Sequence, residues 1–149
     1  MVNGFKIVGL SVRTTNKDNQ AQRDLKCLWE QFFLENLLDK IPTKMSDEIV
    51  VVYTDYKSDY KEDYLAIIGA RVSTFDGIPS GVFKREFQAE NFKKYIARGV
   101  LPNAVMETWS SIWENDNKLN RRYSYDFEIY GTKSQNGENS EVEIYIATK

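Results

Sequence analysis

The run Tyr125-Asp126-Phe127-Glu128-Ile129-Tyr130 sets one carboxylate, Glu128, among alternating aromatic and β-forming residues. A carboxylate on an apolar floor is costly to desolvate, so its pKa rises unless a cation or hydrogen-bond donors pair with it. Such a group can serve as the counter-charge for a cationic ligand, or can position and deprotonate a water. A solvent-facing glutamate of an amphipathic strand, or one held by a tyrosine hydroxyl, is the plainer alternative. Glu143 offers a second carboxylate, and paired acids suit acid–base work. Acidic residues are also routine on edge strands.

Other chemistries are closed off. Histidine is absent and Cys27 is the lone cysteine, which removes imidazole metal sites, Ser/His or Cys/His pairs and internal disulfides. Asp55 and Asp59 alternate with tyrosines in a turn-like stretch that reads as a solvated loop, so no metal site is expected. Arg121-Arg122 is too small a cluster for phosphate recognition. The 20 basic and 22 acidic side chains leave a net charge of −2 without a basic block, so direct nucleic-acid binding is not expected. What stands out is the aromatic content, with 9 Tyr, 8 Phe and 3 Trp, suited to a core edge or to a pocket for a flat organic ligand. Tyr53, Tyr95, Tyr130 and Tyr145 are the aromatic candidates because each sits in a β-rich run. By spacing alone Trp109 and Trp113 lie on a helix stripe that reads as core packing, and Trp29 reads as core too.

These residues need elements to hold them. Residues 5–12 read as a strand. Asn19 and Gln22 form a capping box before a helix carrying Leu25, Leu28, Trp29, Phe32, Phe33 and Leu37, which Pro42 prevents from continuing far. Residues 48–56 and 64–72 make a hairpin. Residues 73–91, with Gly77, Pro79 and Gly81, read as a connector. Residues 92–98 then read as a strand, and Val105, Trp109, Ile112 and Trp113 mark a helix stripe ended near Asn115. Residues 125–131 and 141–148 make a last hairpin. The order strand, helix, strand, strand thus occurs twice, over about 5–72 and 92–148.

With 149 residues, 42% of them hydrophobic, the chain suits one domain. The expected fold is α+β: two β-α-β-β units joined in an antiparallel sheet, both helices on one face and a groove on the other. In the last hairpin Tyr125, Phe127 and Ile129 are expected to share a face with Val142, Ile144 and Ile146. Glu128 and Tyr130 then share the uncovered face with Glu143 and Tyr145. The first hairpin is apolar on both faces, Ile49, Val51 and Tyr53 on one, Val50, Val52, Leu65 and Ile67 on the other. The uncovered side of the first unit is therefore expected to be partly dry, which suggests a groove or an interface where the two units meet. No apolar run approaches the length of a membrane helix and no leader is visible, so a cytoplasmic location is expected.

Residues 52–56 (VYTDY), 64–69 (YLAIIG), 78–81 with Phe83, 109–113 (WSSIW) and 123–130 (YSYDFEIY) together resemble the GyrI-like small-molecule-binding family. This family is also known as the effector-binding domain of bacterial transcription activators, and the likeness runs from about Phe5 to Ala147. It implies a stand-alone effector-binding domain over residues 1–149, a duplicated fold and a cofactor-free ligand groove between the repeats, lined by aromatics around one acid. That acid falls on Glu128. The implied ligand is a small hydrophobic molecule, cationic in many members, and family tryptophans at the position of Trp109 sit near the pocket. Some stand-alone members are hydrolases of electrophilic cyclopropane-bearing genotoxins, which makes Glu128 the catalytic residue of an alternative reading. The family also leaves room for a protein partner or a homo-oligomer.

Overall fold

A computed structural model of the chain describes residues 3–149. Its strands are β1 (Phe5–Thr14), β2 (Ile49–Thr54), β3 (Tyr64–Val72), β4 (Phe83–Phe87), β5 (Phe92–Arg98), β6 (Tyr125–Tyr130) and β7 (Glu141–Ala147). The helices are α1 (Gln20–Leu34), α2 (Asn103–Glu114) and the single turn α3 (Asp116–Leu119). All seven strands form one antiparallel sheet in the order β4-β1-β3-β2-β6-β7-β5. The fold is α+β, and β2 and β6 from the two halves pair at the middle of the sheet.

Both long helices cover one face. On α1, Leu28 and Phe32 are buried against Val8, Val51 and Ile68, with Leu25 and Trp29 packed at the edge of the same cluster. These positions recur at three- and four-residue steps, so a single helix stripe buries them. On α2, Val105, Trp109 and Ile112 lie against Val142, Ile144 and Ile146. Tyr53 and Tyr130, on the two central strands, pack against both clusters and mark the seam between the helices.

The other face is dry as well. Ile7, Val50, Val52, Ile67, Tyr125, Phe127 and Ile129 form its buried cluster. The sheet curls, and Phe87 at one edge and Phe92 at the other both pack on Tyr125, with ring centroids 4.6 and 5.3 Å away. Gly9 stands opposite Gly69 in the β1–β3 ladder. A Cβ at Gly9 would come within 2.0 Å of the Ile68 carbonyl oxygen, so this tight coil needs glycine there. Among the described residues no helix is long and apolar enough to cross a membrane.

Three local expectations are corrected. Residues 83–87 of the expected connector form β4, which pairs with β1. The Asn19–Gln22 capping box does not form, because Asn19 takes a left-handed conformation (φ 59°) and makes no side-chain cap. In the last hairpin Phe127 pairs with Tyr145 and Glu128 with Ile144. Tyr125, Phe127 and Ile129 therefore share a face with Glu143 and Tyr145, whereas Glu128 and Tyr130 share one with Val142, Ile144 and Ile146. Since the side-chain period of a strand is two, a one-residue difference in register exchanges the faces.

Candidate functional site

That register carries Glu128 to the helix side, opposite to the face expected from alternation. The side chain is 1% exposed. Oε2 accepts hydrogen bonds from the indole N–H of Trp109 at 2.6 Å and from the Tyr53 hydroxyl at 3.0 Å. Oε1 accepts one from the Tyr130 hydroxyl at 2.9 Å. Three candidate aromatics thus converge on the candidate acid from three elements: Tyr53 on β2, Tyr130 on β6 and Trp109 on α2.

Each is placed by local geometry. Tyr130 lies two residues beyond Glu128 and so shares its face. Tyr53 pairs in register with Asp126 on the neighbouring strand, and its ring meets the Trp109 ring edge-on at 5.5 Å. Trp109 is on the buried stripe of α2, where Ala104, Val105 and Ile112 fix the helix to the sheet. Trp29 of α1 closes the other side, its ring edge-on to Tyr130 at 5.0 Å.

The electrostatics are those of an acid without a cation. Burial pushes the Glu128 carboxyl above its ordinary 4.5, while the bonds from Trp109, Tyr130 and Tyr53 pull the other way. Burial also raises the Tyr53 and Tyr130 hydroxyls well above 10, and the Glu128 charge adds to it. Both stay protonated and can only donate to the carboxylate.

Asp126, two residues earlier on the same face, is the instructive contrast. It is fully buried too, but Arg121 Nη2 sits 2.7 Å from its Oδ2, Tyr56 donates to the same oxygen at 2.5 Å, and the Ala147 N–H donates to Oδ1 at 2.9 Å. The guanidinium also reaches Asp116 at 3.1 Å and lies over the Tyr123 ring at 4.1 Å. This ion pair is not among the sites expected from the sequence. Its signal was the spacing itself: Asp126 and Glu128 at i and i+2 must face the same way, and an arginine five residues upstream was there to pair with one of them.

The remaining candidates lie elsewhere. Tyr145 is on the opposite face, stacked on Phe127 at 4.6 Å and donating to Glu143 at 2.6 Å. Glu143 is ion-paired with Lys94, so it does not join Glu128 as a second acid. Tyr95 is on the helix side of β5 but lines a separate hollow of about 330 Å³ with Lys93, Ile112 and Lys118. Asp55 is held by Arg85 at 2.7 Å, a structural ion pair.

Known proteins resemble the chain in sequence and in shape. The Bacillus subtilis (strain 168) protein YobU, named provisionally as a transcriptional regulator, is 26% identical over 147 residues, covering 97% of this chain and 92% of its own. The integron cassette protein VCH_CASS2 of Vibrio cholerae has a solved structure 28% identical to the chain, with a TM-score of 0.76 over 99% of this chain and 92% of that one. SAV2435, solved bound to tetraphenylphosphonium, shares the fold at 17% identity, with a TM-score of 0.81 over 99% and 90% of the two chains. The family model described as Cass2, integron-associated effector binding protein, matches residues 1–148, and the chain belongs to that family, within the GyrI-like superfamily.

Proposed function

We propose that the protein captures a small lipophilic cation, with Glu128 as counter-charge and Tyr53, Trp109 and Tyr130 as the surrounding rings. The observation that carries this reading is the contrast on β6. Of two buried carboxylates on one face, Asp126 has its arginine, and among the described residues Glu128 is met by neutral donors alone. Neutral hydrogen bonds offset part of the desolvation cost, and a cation would offset more. Aromatic faces suit such a ligand, since each cation–π contact contributes about 0.5–2 kcal/mol. That a protein of the same fold is known with tetraphenylphosphonium bound supports the ligand class.

The test is a calorimetric titration with tetraphenylphosphonium beside triphenylphosphine oxide, a neutral molecule with similar rings. Preference for the cation by tenfold or more supports the reading. Equal affinities, or no binding of either, would remove it.

A further inference from the structure

The carboxylate is closed off in this structure, so a ligand reaches it only after one of its covering rings moves. The rings differ in what holds them. Trp109 is 8% exposed and anchored by its N–H on Glu128, and Tyr53 is anchored to the same oxygen. Trp113 is pinned under Tyr60, whose ring stacks on it at 5.5 Å and 5°, and Asn16 holds Tyr60 in turn through its carbonyl. Trp29 lacks the hydrogen-bond anchor of Trp109 and Tyr53: among the described residues its indole N–H meets no hydrogen-bond partner, and ring contacts alone hold it. On its outer side it stacks on Phe33 at 5.8 Å, which is 60% exposed, and the next residue, Leu34, is 88% exposed. On its inner side it covers Tyr130, among the described residues the one donor to Glu128 Oε1, while Oε2 is held by two donors.

Resting on the reading above, we propose that Trp29 is the movable wall of the site. Its ring leaves Tyr130 to admit ligand from the Oε1 side, and its size limits the bulk of what is admitted. Displacing Trp29 breaks no side-chain hydrogen bond among the described residues, whereas displacing Trp109 or Tyr53 breaks a bond to a buried carboxylate. The exposed apolar side chains of Phe33 and Leu34 beside Trp29 suit the approach of a lipophilic molecule.

The test has a ligand-free arm. Hydrogen exchange of the Trp109 indole N–H is followed by NMR in the wild type, W29A and W29F. Exchange at least tenfold faster in W29A, with W29F near the wild type, supports the wall. Rates within twofold in all three overturn it, whatever the protein binds. W29L, which keeps an apolar side chain beside Phe33, carries the comparison if W29A fails to fold. A stopped-flow arm measures tetraphenylphosphonium association: a rate constant at least fivefold higher in W29A supports the proposal. An unchanged rate constant with the Glu128 dependence intact overturns the wall while leaving the cation reading standing. Cation binding that is absent or independent of Glu128 removes that reading, and the exchange arm still decides the wall.

Discussion

The indole N–H of Trp109 donates to Glu128 at 2.6 Å, and this bond ties α2 to β6 within the second half, while the Tyr53 hydroxyl reaches the same oxygen from β2 of the first half. It gives the buried carboxylate one fixed partner on the helix, with Tyr53 and Tyr130 completing the set from the sheet. Replacing Trp109 with Phe keeps most of the packing and removes the donor. Hydrogen bonds to charged groups contribute about 1.5–3 kcal/mol, so W109F should lose that order of stability at pH 8 in urea unfolding. Its Glu128 should also titrate higher than in the wild type by side-chain NMR.

Burial raises Glu128 above 4.5 in the folded chain. Between the unfolded value and that raised value, the native state keeps a proton that the unfolded chain has released. Its contribution to the stability of the ligand-free protein is therefore greatest at low pH and is lost as pH rises through this window. Cation binding runs the other way, since the ionised form is the acceptor, and affinity should grow over the same window. The wild-type-minus-E128Q difference in urea unfolding, and the pH profile of cation affinity, check both directions.

Arg121 and Asp126 should behave as a unit. R121Q leaves Asp126 buried without its cation, which costs about 3–5 kcal/mol for a pair of this kind. R121Q/D126N, which removes both charges, should recover most of that loss. Denaturant melts of the two variants and the wild type check the coupling.

Tyr145 and Tyr95 provide the contrast. Tyr145 stacks on Phe127 on the far face, and Tyr95 lines a hollow beside Lys93 and Lys118. Y145F and Y95F should each leave cation affinity within about twofold, while Y130F and Y53F should lower it, because only those hydroxyls touch Glu128. Titration of the four variants under one condition checks this.

Much of this arrangement was legible in the residues. Alternation sorted Ile49, Val51 and Tyr53 from Val50, Val52 and Ile67, because both faces of β2 are buried and the period of two leaves no freedom. The α1 and α2 stripes followed from helical spacing, and residue type and resemblance singled out four side chains that lie in contact, Glu128 with Tyr53, Trp109 and Tyr130. What alternation could not supply was which face of β6 met which face of β7. Both strands alternate cleanly, so either register buries a plausible set, and the choice is made by tertiary packing: Phe127 stacks on Tyr145 and Trp109 reaches Glu128. Residues 83–87 were hidden for a different reason. They are short, charged at Lys84, Arg85 and Glu86, and held at a sheet edge, where β-propensity is a weak guide. Trp29 reads as core because its spacing is that of the α1 stripe, and only its position over Tyr130 separates it from Leu28 and Phe32.

The most direct measurement is the affinity of wild type and E128Q for tetraphenylphosphonium and for triphenylphosphine oxide, by titration calorimetry at pH 8. The expected result is a loss of tenfold or more for the cation, about 1.4 kcal/mol or greater, with the neutral compound changed less than twofold. Equal losses for both compounds, or full cation affinity in E128Q, would contradict the role assigned to Glu128.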